Sequence, residues 1–167
     1  MQLVVSHKLD KPLVLPLAYH HIIQSIIYRS LESNPEYSVF LHDRGFEGNT
    51  RSYKLFTFGL LQGRYEIRGK DIIFTESVRF EIRSVEVYML KMLKKTFEQQ
   101  GITYGKNNYN KVKAELKNDE VSSEEILIRM LSPICIYATD KDNGKTKFYA
   151  PTEEEFASRI HDSFRRK

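Results

Sequence analysis

Apolar residues change period several times along the chain, and each change marks a predicted element. Gln2–Lys8 (QLVVSHK) has the branched apolar content of a strand, and it runs into a charged loop where Pro12 and Pro16 keep the backbone extended. Over residues 18–33 the period becomes helical. Ile22, Ile23, Ile26, Ile27 and Leu31 recur with polar residues between them, and Asn34 with Pro35 forms a stop. Tyr28 follows this stripe directly and stands at its edge. Residues 35–43 predict a short second helix held by Val39, Phe40 and Leu41, which puts His42 near a helix end before Gly45 and Gly48 open a loop.

Residues 54–61 (KLFTFGLL) read as a strand, as do 64–67, 71–75 and 78–83, punctuated by Gly63 and Gly69, so a sheet meander is expected. Helical spacing returns over 84–100 through Val85, Tyr88, Met89, Met92, Leu93 and Phe97, with Gly101 as its stop. Residues 108–116 alternate as a strand, 125–135 and 148–150 supply further extended apolar pieces, and 137–147 predict a hairpin turned by DNG. Thr152 is the expected cap of a last helix. That helix carries Phe156, Ile160 and Phe164 on one face, with glutamates at its start and arginines at its end to match the dipole.

The order strand, helix, strands, helix, strand over residues 1–120 predicts an α+β fold: a ferredoxin-like (RRM-like) β-α-β-β-α-β unit with both helices on one face of an antiparallel sheet. Residues 121–167 then begin again with strand and helix. The chain, 167 residues with 41% hydrophobic content, is long enough for one substantial core and the beginning of a second. A formal charge of +4 favours a polyanionic partner such as nucleic acid without requiring one. The single cysteine, Cys135, excludes a disulfide framework and a CxxC zinc site, and points to a reducing, cytoplasmic setting. No apolar run approaches the roughly twenty residues of a membrane span.

Motifs for nucleotide or metal binding, GxxxxGK[ST], GxGxxG and HExxH, are absent from the sequence, so no cofactor and no metal are expected. His20 and His21 are adjacent, and on a helix adjacent residues point about 100° apart, which suits capping or surface roles better than a shared metal. His42 differs in its company: Tyr28 on the preceding helix, and Arg44, Arg51 and Lys54 in and after the loop that follows. Tyrosine, histidine and lysine together suit transesterification of RNA. The ribose 2′-hydroxyl must lose a proton as it attacks phosphorus, the leaving 5′-oxygen must gain one, and the phosphorane needs positive charge. The same residues also have ordinary readings: Tyr28 as an amphipathic rim residue, Lys54 as a solvated strand start, His42 as a helix-terminal histidine.

IIYRSLESNP, YSVFLHDRGF, YKLFTFGLL and, much later, LSPICIYA ahead of APTEEEFASRI follow one another over essentially the whole chain. In that order they resemble the CRISPR-associated repeat-RNA endoribonucleases, the Cas-six family. The resemblance implies two ferredoxin-like units in tandem and metal-independent cutting of a precursor transcript at each repeat to leave a 2′,3′-cyclic phosphate and a 5′-hydroxyl. It implies a 2′-hydroxyl-facing role for Tyr28, general acid/base work for His42 and phosphate stabilisation by Lys54. Nothing near FRRK resembles the glycine-rich loop of the family's second unit, so residues 121–167 are expected to be a second domain begun and unfinished. A non-cleaving RNA-binding module is the alternative, and a purely structural part of an effector complex a third reading.

The expected partner is CRISPR repeat RNA within precursor crRNA. Arg44, Arg51, Arg64, Arg68, Lys70, Arg79 and Arg83 are candidates for phosphate contacts, with Tyr53 and Tyr65 for base stacking. A solvated strand face is the competing reading for each charge. The terminal helix, with its apolar face, is expected to seek a partner, in a homodimer or in a CRISPR effector complex.

Overall fold

A computed structural model describes residues 1–31, 46–47, 52–53, 56–118, 123–125, 127, 134–140 and 142–165. The chain forms two compact units, Met1–Glu120 and Val121–Lys167. The first is built around β1 (Gln2–Lys8), which pairs antiparallel with β8 (Ser77–Ser84) on one side and β11 (Val112–Lys117) on the other. With β5 (Phe56–Phe58) beside β8, the sheet order is β11-β1-β8-β5. Because strand side chains alternate, Leu3, Val5, Val78, Phe80 and Ile82 all point to one face. There they meet Ile23, Ile26 and Ile27 of α1 (His20–Ser30) and Met89, Leu90, Leu93 and Phe97 of α2 (Val87–Gln100) in one core. This is the ferredoxin-like arrangement the periodicity predicts. The Phe80 and Phe97 rings meet edge to face with centroids 6.3 Å apart, tying sheet to helix.

The expected single meander is not what forms. The chain leaves the sheet after β5 and returns through Gln62, which bridges to Arg79. Between them the hairpin of β6 (Tyr65–Arg68) and β7 (Asp71–Phe74) pairs with β2 (Leu13–Pro16) in a second sheet of order β2-β7-β6. The stretch expected as a charged loop kept extended by its prolines therefore contains a strand. Leu13 and Leu15 alternate into the core opposite Phe74 and Ile72, and Pro16 is tolerated as the last residue of an edge strand.

Two boundaries also move. Strand β8 runs to Ser84, whose Oγ accepts the Glu86 N–H (2.9 Å), so α2 starts at Val87. The extended stretch over 108–116 divides into β10 (Asn107–Tyr109) and β11, and β10 forms a hairpin with β9 (Ile102–Tyr104). The short helix expected over 35–43 lies outside the described residues, as does most of 125–135. A two-residue ladder joins β3 (Phe46–Glu47) to β4 (Ser52–Tyr53).

In the second unit β12 (Ile136–Thr139) and β13 (Thr146–Tyr149) form the predicted hairpin. Its turn is held by Asp140, whose carboxylate accepts the Asp142 N–H and the Asn143 side-chain amide, and Gly144 supplies a left-handed residue at φ 68°. Helix α3 (Glu154–Arg165) follows, preceded by Glu153, whose carboxylate accepts the Ala150 N–H at 2.7 Å. Phe156 and Ile160 are half-buried, and α3 packs on β12. The Phe164 side chain lies outside the described residues.

Candidate nucleic-acid interface and catalytic site

Helix α1 turns Ile23, Ile26 and Ile27 fully into the core, and the residue after Ile27 therefore falls on the flank of the buried stripe. That residue is Tyr28, half-buried, with its ring edge-on to Phe56 at 6.0 Å and 82°. Phe56 opens β5 two residues after Lys54 in the sequence. His42 and Lys54 lie outside the described residues, and so do Arg44 and Arg51. For Tyr53 the backbone is paired with Phe46 in the short β3–β4 ladder, and its side chain lies outside the described residues.

The remaining sequence-predicted cations fall into two groups. Arg64, Arg68 and Lys70 belong to the β6–β7 hairpin with Tyr65. Here Arg64 pairs with Glu76 (3.0 Å) and Arg68 with Glu66 (2.7 Å), while Tyr65 is 55% exposed and packs its ring at 5.8 Å from Phe74. Arg79 and Arg83 stand on β8, on the face turned away from the helices, where Glu81 takes both guanidiniums at 2.6 and 3.4 Å. Each of the four arginines thus has a carboxylate partner, a feature that a count of positive residues does not reveal.

On the same face the register sets Ser6 between Arg79 and Lys113, Val4 between Glu81 and Glu115, and Gln2 between Arg83 and Lys117. Lys8 is the next residue of β1 on that face. Five cations and two carboxylates therefore share it. Lys113 reaches Glu115 at 2.6 Å, which holds the Glu115 carboxyl below the usual range and pushes the lysine up, the hydrogen bond leading in both cases. Val4 and Gln2 on the same face are buried. Sequence reasoning missed Lys8, Lys113 and Lys117. For the two lysines of β11 the signal was the alternation VKAELK, in which every second residue is charged.

His20 and His21 have separate structural partners. The His20 ring lies parallel to Tyr19 at 5.6 Å, and His21 Nδ1–H donates to the Ala18 carbonyl at 2.8 Å. The Tyr19 hydroxyl accepts the Leu61 N–H at 3.1 Å, which ties α1 to the chain after β5, and burial raises its pKa. Among the described residues no group of three or more histidine, cysteine or acidic side chains is placed to hold a metal ion. No helix among them is long and apolar enough to cross a membrane.

Two family models match the chain: "CRISPR-associated protein Cas6, N-terminal" over residues 14–101 and "CRISPR associated protein Cas6, C-terminal" over 116–167. Three solved structures have the same fold. One described as "CRISPR associated protein Cas6" is 21% identical with a TM-score of 0.58, covering 100% of this chain and 72% of that one. A Cas6-related protein from Pyrococcus furiosus is 19% identical with a TM-score of 0.63, covering 97% and 67%. The third, described as "An RAMP protein binding different RNA substrates", is 20% identical with a TM-score of 0.58, covering 96% and 67%. No curated protein matches. The neighbours place the chain among tandem ferredoxin-like folds.

Proposed function

The chain belongs to the Cas6 family of CRISPR-associated proteins, and from that premise we propose that it is a metal-independent endoribonuclease that cuts CRISPR repeat RNA. Tyr28 faces the ribose 2′-hydroxyl, His42 serves as general acid or base, and Lys54 neutralises charge on the phosphorane. The 2′-oxygen bonds to phosphorus as its proton passes to a base. The P–O5′ bond breaks as the leaving oxygen takes a proton, and the products are a 2′,3′-cyclic phosphate and a 5′-hydroxyl. Of the three side-chain types, imidazole is the one suited both to take and to give a proton at neutral pH.

The observation that carries this reading is the seat of Tyr28. It is held on the flank of α1 against the first residue of β5, the strand whose sequence follows Lys54 by two residues. On this reading the transcript is the partner, inside the cell, and the cations of the hairpin and of the sheet face contribute phosphate contacts. Incubation of repeat RNA with the full chain in excess chelator is expected to give cyclic-phosphate ends, with His42→Ala slowed at least about a hundredfold. Cutting at an unchanged rate in His42→Ala removes that residue from the mechanism.

A non-cleaving RNA-binding module is the second reading, favoured by the likeness to the solved structure described as a RAMP protein binding different RNA substrates. Salt-dependent binding without product over long incubation selects it.

A further inference from the structure

Strand β6 ends the β2-β7-β6 sheet, and among the described residues nothing pairs with its outer edge. Exposed sheet edges are usually guarded against pairing by shortness, charge, proline or a covering group. The edge of β11 shows such a guard: Lys94 Nζ, reaching across from α2, takes the Ala114 carbonyl at 2.8 Å. Among the described residues no equivalent group covers β6, and its two apolar residues, Tyr65 and Ile67, are 55% and 57% exposed.

The hydrogen-bond parity of β6 follows from its hairpin. Arg68 and Asp71 flank a two-residue turn, and Thr75 N–H donates to the Arg64 carbonyl (3.2 Å). Bonded pairs alternate along an antiparallel ladder, so Glu66 and Arg68 spend their backbone groups on β7, and those of Tyr65 and Ile67 point outward. Residues directly opposite in such a ladder share a face. An identical strand added about a twofold axis at Ile67 then sets Ile67 opposite its own copy as a doubly bonded pair. On the other face Glu66 falls opposite Arg68 of the second copy, and Arg68 opposite its Glu66. Those are non-bonded pairs, where facing Cα atoms approach to about 4.5 Å. Within one chain the two side chains already meet at 2.7 Å. Across the axis they form a four-charge ladder of alternating sign. A shift of two residues in either sense puts Glu66 opposite Glu66 or Arg68 opposite Arg68, so the charges reject both adjacent registers, and crosslinking at Tyr65 against Ile67 separates the Ile67-centred pairing from one centred on Tyr65.

We propose that β6 is a self-complementary edge through which two copies of this chain pair antiparallel about Ile67, joining their three-stranded sheets into one of six strands. The pairing uses Arg68, which the nuclease reading counts among the phosphate contacts, so it is tested in the absence of RNA. A four-residue strand with two apolar anchors makes a small interface, so association is expected at concentrations on the order of 10–100 µM.

The test uses the full chain with Cys135→Ser as background, leaving no other thiol. Ile67→Cys is expected to form an intermolecular disulfide under mild oxidation, because residues facing each other in the ladder are about 5.5 Å apart at Cα. Tyr65→Cys, two residues off the axis, is expected not to. Sedimentation equilibrium should show Glu66→Arg and Arg68→Glu each weakening the dimer about tenfold, and the double exchange restoring it. Thermal melts of the variants should match the parent, since all four side chains are exposed. A monomer throughout the concentration range overturns the proposal. A dimer in which Tyr65→Cys crosslinks as well as Ile67→Cys, or in which the double exchange stays as weak as the single changes, overturns it equally by assigning association to another surface.

Discussion

The imidazole of His7 lies on the helix-facing side of β1, 5% exposed, with the Tyr109 ring centroid 4.5 Å away. Its Nδ1 is 3.2 Å from the Lys8 carbonyl, which can only accept, so Nδ1 carries the proton and Nε2 accepts from the Tyr104 hydroxyl at 3.1 Å. Burial lowers the His7 pKa below 6.5, with the Lys8 carbonyl opposing it weakly, while burial also raises those of Tyr104 and Tyr109. The native state therefore keeps His7 neutral below pH 6.5, where the unfolded chain takes up a proton. Stability is full above that pH and falls as pH drops toward the lowered value, by at most about 1.4 kcal/mol per pH unit from this site. Thermal melts between pH 7 and 5 should show this slope, and His7→Gln should flatten it. Nothing in the sequence around His7 marks it, because its partners Tyr104 and Tyr109 lie about a hundred residues away. Tyr28, by contrast, was legible as the residue after an isoleucine stripe. Its neighbour Phe56 was not, since only the sheet order brings β5 beside α1.

Gly101 sits where α2 must stop and β9 begin. Its φ is 75°, and a Cβ there would lie 2.3 Å from the Tyr109 carbonyl oxygen. Two costs coincide, a left-handed backbone and a collision with backbone that cannot retreat, so Gly101→Ala is expected to destabilise the fold by about 1–3 kcal/mol or more in denaturant melts. Gly105 is also at positive φ, but a Cβ there would meet nothing within 4 Å, so its change to alanine should cost about 1 kcal/mol. The comparison separates conformational from steric cost. Phe80→Ala removes the ring that meets Phe97 and should cost about 3–5 kcal/mol. Both long helices, β1, β8 and the DNG hairpin could be read from period and turn chemistry because each signal is contained within its own segment. The strand β2 and the separate sheet of β6 and β7 could not. Leu13 and Leu15 are too few to establish a period, and their pairing partners arrive over fifty residues later.

Across the first unit, positive residues counted from the sequence overstate the free positive charge. Glu81 lies between Arg79 and Arg83 on the sheet face away from the helices, and it neutralises part of a surface on which β1, β8 and β11 place only one other carboxylate. Glu81→Gln is expected to tighten RNA binding at low salt and to steepen its dependence on log salt by about one unit, measured by filter binding or anisotropy. The opposite change at the same face, Lys117→Ala, should make that dependence shallower by a similar amount. Unchanged slopes in both would move the RNA path off this face. What the sequence determined by itself was the alternation of strand and helix and the ferredoxin-like order, because burial period and turn residues are local consequences of covalent geometry. It also carried the family likeness in motifs set along the chain in order. Tertiary structure alone decided which strands leave the main sheet, which arginines are already paired and which charges share a face, because those depend on register between segments far apart in the chain.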